Sequence, residues 1–491
     1  MNGSMNLSLR AVCKIIGLVL LVVGFSMVPS LAVSIVYEEE ASFFAFFITI
    51  SIAAFAGINL LRFGQFSHTV LKVRDGFLIV TLCWIVSTLL GAVPFMFSSS
   101  IPNFFDAFFE SCSGFSTTGA SILNDIEALP KSMLFWRSFT HWIGGMGILI
   151  FAIALMPSLG INGQNVAVSE APGPTLDKVT AKMSDTAKAL YVIYLIFTIL
   201  ETILLCLGGM SFYDALIHAF GSVGTGGFSN YNNSVAHFDS AYIEIVITIF
   251  MILSGANFNL YFLSMKSGIS TLLKDAEFRF YLLITASVTI LIAANLYMSH
   301  YYESAASAAR YSVFQTASIL TTTGFATTDF NLWPAFSKML ILLLMFIGGC
   351  ASSTGGGIKV VRILIILKLI RRGIATRLHP NAVVTVKMNG RTVAADTVTA
   401  ISNHIFLYMA VVFISGLLLS LNNFDLVTSY TSVLTCIGNI GPGFELTGPA
   451  ANFSIFAGPS KLLLSFLMLA GRLELFTLLI LLTPKFWNPN H

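Results

Sequence analysis

The sequence predicts an all-α polytopic membrane protein. Two N-terminal helices precede four pseudo-symmetric span–pore-loop–span repeats around a central ion pore. Three observations carry this. Of 491 residues, 56% are hydrophobic and only 10% charged, more apolar surface than a soluble globular chain can bury. Apolar runs long enough to cross a bilayer recur at ten places. A short segment recurs four times between those runs: DAFFESCSGFSTTGAS from Asp106, DALIHAFGSVGTGGFS from Asp214, YSVFQTASILTTTGFA from Tyr311 and TSYTSVLTCIGNIGPG from Thr428. Each copy reaches a glycine 13 residues after its start.

The first run, 12–35, follows Arg10 and Lys14 and ends before Glu38-Glu39-Glu40. It is longer than a signal-peptide core and reads as a retained first span. The others lie at 42–61, 76–98, 134–156, 189–210, 242–263, 278–298, 338–370, 401–421 and 461–483. The organisation is a preface (1–68) followed by repeats at 69–160, 161–268, 269–375 and 376–491. Cytoplasmic loops 157–188 and 371–400 are longer, and serve as plain connectors or as a docking surface.

Positive charge sets the orientation. Twenty of 26 basic residues fall on alternate loops, five fall on the other side and Arg472 lies inside a span. This asymmetry places both termini in the cytoplasm and makes every re-entrant loop enter from outside. The six cysteines, Cys13, Cys83, Cys112, Cys206, Cys350 and Cys436, sit in or beside apolar stretches with no CxxC pair, and are expected to pack as small buried residues. No basic soluble face exists for nucleic acid. No Ser-His, HExxH or paired-Asp arrangement on the spans suggests an enzyme, and no Arg-rich span suggests voltage gating.

Each half-helix is too short to span a hydrocarbon core of about 30 Å. Glycine-rich irregular backbone at that depth is tolerated only inside protein or along a water-filled path. The aligned strips are Thr117-Thr118-Gly119, Thr225-Gly226-Gly227, Thr322-Thr323-Gly324 and Asn439-Ile440-Gly441. Carbonyls from four such strips would replace the water of a dehydrated monovalent cation. The negative C-terminal ends of the half-helices favour that charge. Glu110, Asp329 and Glu445 are expected near the outer mouth.

The eighth run is interrupted by Gly348-Gly349-Cys350-Ala351-Ser352-Ser353-Thr354-Gly355-Gly356-Gly357. Five glycines with Ser and Thr do not hold a helix cheaply, and the string lacks the GK[ST] ending of a phosphate loop. It reads as an intramembrane gate, or else as a kink for helix packing. Arg472, mid-span by sequence, costs roughly 2.5–3.5 kcal/mol on insertion scales and must face the pore or a partner. It either meets carbonyls freed by the broken loop and repels a passing cation, or pairs with Glu201 or Glu474. The repeat aligns Gly471 with Gly349, Gly255 and Gly145, and Asn257 and Asn259 either line the same cavity or join helices.

Over essentially its whole length the chain resembles the Trk/Ktr/HKT superfamily of potassium transporters, nearest the Trk-type bacterial membrane subunit. The resemblance implies a key glycine in each strip, with potassium held by oxygens of the residues just before it; all four glycines are present. Plant relatives that favour sodium carry serine at the first; Gly119 there implies potassium, with sodium and rubidium as further candidate ions. Asn439-Ile440-Gly441-Pro442 departs from Thr-x-Gly, so the cage is only approximately four-fold. The resemblance also implies a gating loop at Gly348–Gly357, a bacterial inner-membrane location, a membrane homodimer and a separate cytoplasmic RCK-type nucleotide-binding subunit. No cofactor is expected beyond the potassium ion. Channel-like uptake is the leading expectation. The alternative is a potassium symporter coupled to protons or sodium, for which Glu201 and Glu244 are the span-embedded acids.

Overall fold

A computed structural model describes residues 9–64, 73–147, 183–382 and 384–487. Among them, six helices are long and apolar enough to cross a membrane: Leu9–Val36, Glu40–Gly64, Arg74–Phe97, Ala187–Leu207, Ala276–Met298 and Ala395–Ser420. Their outward faces are apolar. Glu40–Gly64 leaves Phe44, Phe47 and Phe55 exposed, as expected of a helix solvated by lipid rather than water. The first stretch is divided at Met27 into Leu9–Ser26 and Val28–Val36, with Pro29 in the first turn of the second helix. The preface helices cross closely at small residues: a Cβ on Gly17 would stand 2.8 Å from the Gly57 carbonyl oxygen.

Four half-helices dip between the spans: Phe104–Phe115, Phe212–Val223, Ala305–Leu320 and Leu426–Gly438. Each starts at a side-chain cap that satisfies a free amide. Asn103 accepts from Phe105 N, Ser211 from Asp214 N, Ser304 from Ala306 N and Asp425 from Thr428 N. Their inner portions are fully buried, consistent with segments that never touch lipid.

The second spans of repeats two and four depart from expectation. The sequence marks only the eighth run as broken, yet the runs 242–263 and 461–483 are broken too. Ala241–Ser254 and Phe258–Ser267 meet at 84°, and Gly458–Arg472 and Leu475–Leu482 at 119°. Arg472 therefore ends a helix instead of sitting mid-span. Composition cannot reveal such breaks, because both halves stay apolar. In repeat three, Ala335–Ile347 and Val360–Leu378 flank the glycine-rich loop. In repeat one, Lys131–Gly145 is the first half; the rest of the run 134–156, and most of the loop 157–188, lie outside the described residues. The segment 371–400 carries a two-stranded hairpin, with Lys387 opposite Thr392 and Met388 opposite Arg391.

Candidate functional site

All four half-helices end in the same turn. The amides of Thr117, Thr225, Thr322 and Asn439 donate three residues back, to Gly114, Ser222, Ile319 and Cys436 carbonyls at 3.1, 3.1, 3.1 and 3.4 Å. The next amides, of Thr118, Gly226, Thr323 and Ile440, donate five residues back, to Ser113, Gly221, Ser318 and Thr435 at 2.9, 2.8, 2.8 and 3.0 Å. This is the Schellman pattern, whose pivot residue must be left-handed. The pivots are Thr117, Thr225, Thr322 and Asn439, with φ of 56, 51, 61 and 53°. Asn tolerates that region, but a β-branched Thr does so only under compulsion, at a cost of order 1–3 kcal/mol. All four pivots are fully buried.

Two residues on, Gly119, Gly227, Gly324 and Gly441 take φ of 80, 76, 84 and 104°. Here glycine is required by space as well as by dihedral. A Cβ on Gly119 would lie 2.1 Å from the Gly226 carbonyl oxygen, one on Gly227 1.9 Å from Thr323 O, one on Gly324 2.1 Å from Ile440 O, and one on Gly441 2.9 Å from Thr118 O. Strip one abuts two, two abuts three, three abuts four, and four returns to one. The strips thus close a ring in chain order, with the carbonyl of each middle residue at a seam.

Side chains brace this ring. Ser116 and Thr118 hydroxyls pair at 2.8 Å, and Thr321 and Thr323 repeat the contact at 2.8 Å. Asn439 Nδ2 donates to Thr118 Oγ1 at 3.0 Å and to Met468 O at 2.9 Å, so strip four is tied to strip one by its departure from threonine. Strip two has glycine at its middle position because His141 stands behind it: a Cβ on Gly226 would lie 2.2 Å from the His141 ring. Nothing in sequence spacing points to His141.

The acids expected at the outer mouth behave differently. Glu110 is buried, bonded to Arg137 Nε at 2.5 Å, and accepts from Ser121 Oγ and Ile122 N. It braces the segment leaving strip one and is not a mouth charge. Asp329 caps a short turn through Asn331 N, and Glu445 is exposed. Arg310 grips Glu244 through two bonds of 2.7 and 2.8 Å, and Lys461 meets Asp106 at 2.5 Å. Three of the five basic residues on that side are thus ion-paired staples.

Beneath the ring lies the loop Gly348–Gly357. Gly356 N donates to Thr322 Oγ1 at 2.7 Å. Cβ atoms on Gly355 and Gly356 would meet Thr321 O at 2.7 Å and Gly438 O at 2.4 Å. Cys350 N bonds Gly255 O, Thr354 Oγ1 bonds Ser254 O, and Ser352 O accepts from Phe258 N, all at the break in repeat two. Ser353 Oγ bonds Cys350 O within the loop. Gly348 turns the chain at φ 82°, and Gly349 O accepts from Val360 N.

Arg472 bridges ring and loop. Its guanidinium donates to Thr354 O, Gly144 O and Gly145 O, each at 2.6 Å, and reaches Thr117 Oγ1 at 3.5 Å. Arg472 thus meets one carbonyl of the broken loop and two at the end of Lys131–Gly145, and Glu474 bonds Arg362. Gly144, rather than Gly145, is the counterpart of Gly471: their Cβ atoms would meet Phe115 O and Ile437 O, equivalent positions of two half-helices, at 1.9 and 2.0 Å.

Two residues counted as cytoplasmic loop charges are buried here. Lys359 is 2% exposed, and its ammonium donates to Gly355 O at 2.6 Å, with Cys350 O and Ser353 Oγ at 3.4 and 3.5 Å. Arg362 pairs with Glu474 and lies 3.2 Å from His404 Nε2.

A family model described as a cation transport protein matches residues 39–488. The chain is 39% identical over 485 residues to the Trk system potassium uptake protein TrkH of Escherichia coli, covering 98% of this chain and 99% of that one. It is 35% identical over 488 residues to TrkG of the same organism, covering 99% and 100%. The crystal structure of the potassium transporter TrkH from Vibrio parahaemolyticus superposes with a TM-score of 0.88 at 37% identity, covering 98% of this chain and all of that one. The chain is a multi-pass membrane protein and belongs to the TrkH family of cation transport proteins.

Proposed function

We propose that this chain takes up potassium across a bacterial inner membrane by channel-like conduction through the four-strip ring. The observation that carries this is the closed circuit of middle-residue carbonyls, Thr118, Gly226, Thr323 and Ile440, each against the next strip's glycine. Carbonyls at four seams offer the oxygen cage that a dehydrated monovalent cation needs. The C-terminal ends of four half-helices add negative potential there. Potassium is the ion because the relatives bear that name and because Gly119 holds the first glycine position. In this reading the loop Gly348–Gly357 is the gate, and Arg472 places a positive charge on the path while holding the loop by Thr354 O. A second copy in the membrane and a cytoplasmic RCK-type nucleotide-binding subunit are the partners.

Symport coupled to protons or sodium is the second reading. Its acid would be Glu201, buried with one oxygen on Ser222 Oγ and the other without a described partner, since Glu244 is taken up by Arg310. Flux through purified protein in liposomes tests both. Potassium flux that follows its own gradient, exceeds sodium flux and ignores an imposed proton or sodium gradient is the expected result. Flux driven uphill by either gradient would establish the symporter.

A further inference from the structure

The glycine-rich loop is stapled from one point. Glu277, buried at the start of the helix Ala276–Met298, accepts with a single carboxylate oxygen from Ala351 N at 2.6 Å and Val361 N at 3.2 Å. These two amides lie on either side of the glycine run 355–357, so one side chain fixes both ends of the segment that fills the space under the ring. The same turn of helix is gripped from the cytoplasmic loop. Asn389, at the tip of the hairpin with φ 47°, donates to Asp275 Oδ2 at 2.7 Å and accepts from Ala276 N at 2.9 Å. Asp275 caps that helix through Phe278 N.

A second connection runs in parallel through apolar packing. Val386, Met388 and Val393 of the hairpin region form one buried cluster with Ala351 and Val361, the residues whose amides Glu277 holds. Lys368 fastens the hairpin by donating to Lys387 O at 2.7 Å. The hairpin therefore shares a buried cluster with the loop's anchor residues and touches the helix start that carries their staple through Asp275 and Ala276.

We propose that Glu277 is the positioning residue that holds the loop under the ring, and that the hairpin Lys387–Thr392 is the handle through which the cytoplasmic side sets it. This rests on the reading of the loop as a gate. Moving the hairpin drags Ala351 and Val361 by their side chains and tilts the capped helix start that carries Glu277. Both displacements open the staple. Arg472 and Lys359 hold the loop from its other faces.

The test uses the full-length protein in liposomes, with potassium and sodium flux measured together. Glu277→Ala removes the acceptor and should raise resting potassium flux about tenfold, since it deletes both bonds to that acceptor. Glu277→Gln keeps an acceptor oxygen and should restore flux toward the parent value. Potassium preference should persist in both, because the ring is untouched. The pair Asp275→Cys with Asn389→Cys gives a reversible lock: the oxidised protein should conduct less than the same sample after thiol reduction. Arg472→Ala is the control for the gate itself. If Arg472→Ala raises flux while Glu277→Ala and the lock leave it flat, the staple and handle are wrong and the gate stands. If Arg472→Ala is also flat, the gate reading falls and this proposal with it.

Discussion

The ring and the loop beneath it contain similar residues, glycine with serine and threonine, yet they are held by different means. Each strip of the ring is fixed by its own half-helix through two backbone bonds and by the next strip through a close backbone approach. The loop is not framed by a half-helix of its own. Backbone bonds tie it to the break in repeat two, and side-chain bonds reach it from Glu277, Lys359, Thr322 and Arg472. A backbone-defined ring has one conformation that its neighbours enforce. A segment held in part by side chains from distant elements opens more readily when those side chains move. Under the proposed function, that difference would suit the ring to discriminate ions and the loop to switch.

The sharpest way to break this comparison is to show that the two regions face the wrong solutions. Asn232 is exposed beside Asp125 on the half-helix side, and Lys387 is exposed on the hairpin. Cysteines at these two positions should label from opposite sides in intact cells, Asn232 from outside alone. Outside labelling at Lys387 would invert the assignment of ring and gate. Next in size is Gly227→Ala, whose Cβ would lie 1.9 Å from Thr323 O at φ 76°. Left-handed backbone alone costs roughly 1–2 kcal/mol, so potassium conduction should fall at least about tenfold with the protein still assembled in the membrane. Unchanged conduction would mean that the seams are not tight. A smaller effect tests where the regions meet. Thr322→Val keeps the pivot's β-branched shape but removes the acceptor of Gly356 N. The loss of one hydrogen bond, about 1 kcal/mol, should raise resting flux a few-fold, and unchanged flux would mean that this contact does not hold the loop.

The same contrast explains what is legible in the sequence. The ring occurs four times, so its glycines align at a constant offset of 13 residues by letter pattern alone. The loop occurs once, and only its glycine content marks it. Its holders cannot be found the same way. Lys359 reads as one more cytoplasmic charge, Glu277 as the acidic first turn of a helix, and His141 as a lone histidine on an apolar helix. What brings them to the ring and the loop is a contact across the fold, and no local pattern encodes it. Glu110 fails in the opposite direction. It sits close to a strip in sequence, but burial against Arg137 turns it into a brace. The breaks in repeats two and four are hidden because an apolar run reads alike whether it is straight or bent by 84 or 119°.

Separate control of selectivity and opening is the central claim, and one comparison in liposomes tests it most directly. Gly119→Ser places a side chain where a Cβ alone would lie 2.1 Å from Gly226 O. Arg472→Ala removes the guanidinium that holds Thr354 O. Potassium and sodium fluxes are measured for each variant and for the double variant. Gly119→Ser should relax the preference for potassium, Arg472→Ala should raise flux with preference intact, and the double variant should show both changes. Altered preference in Arg472→Ala together with unaltered preference in Gly119→Ser would contradict that claim.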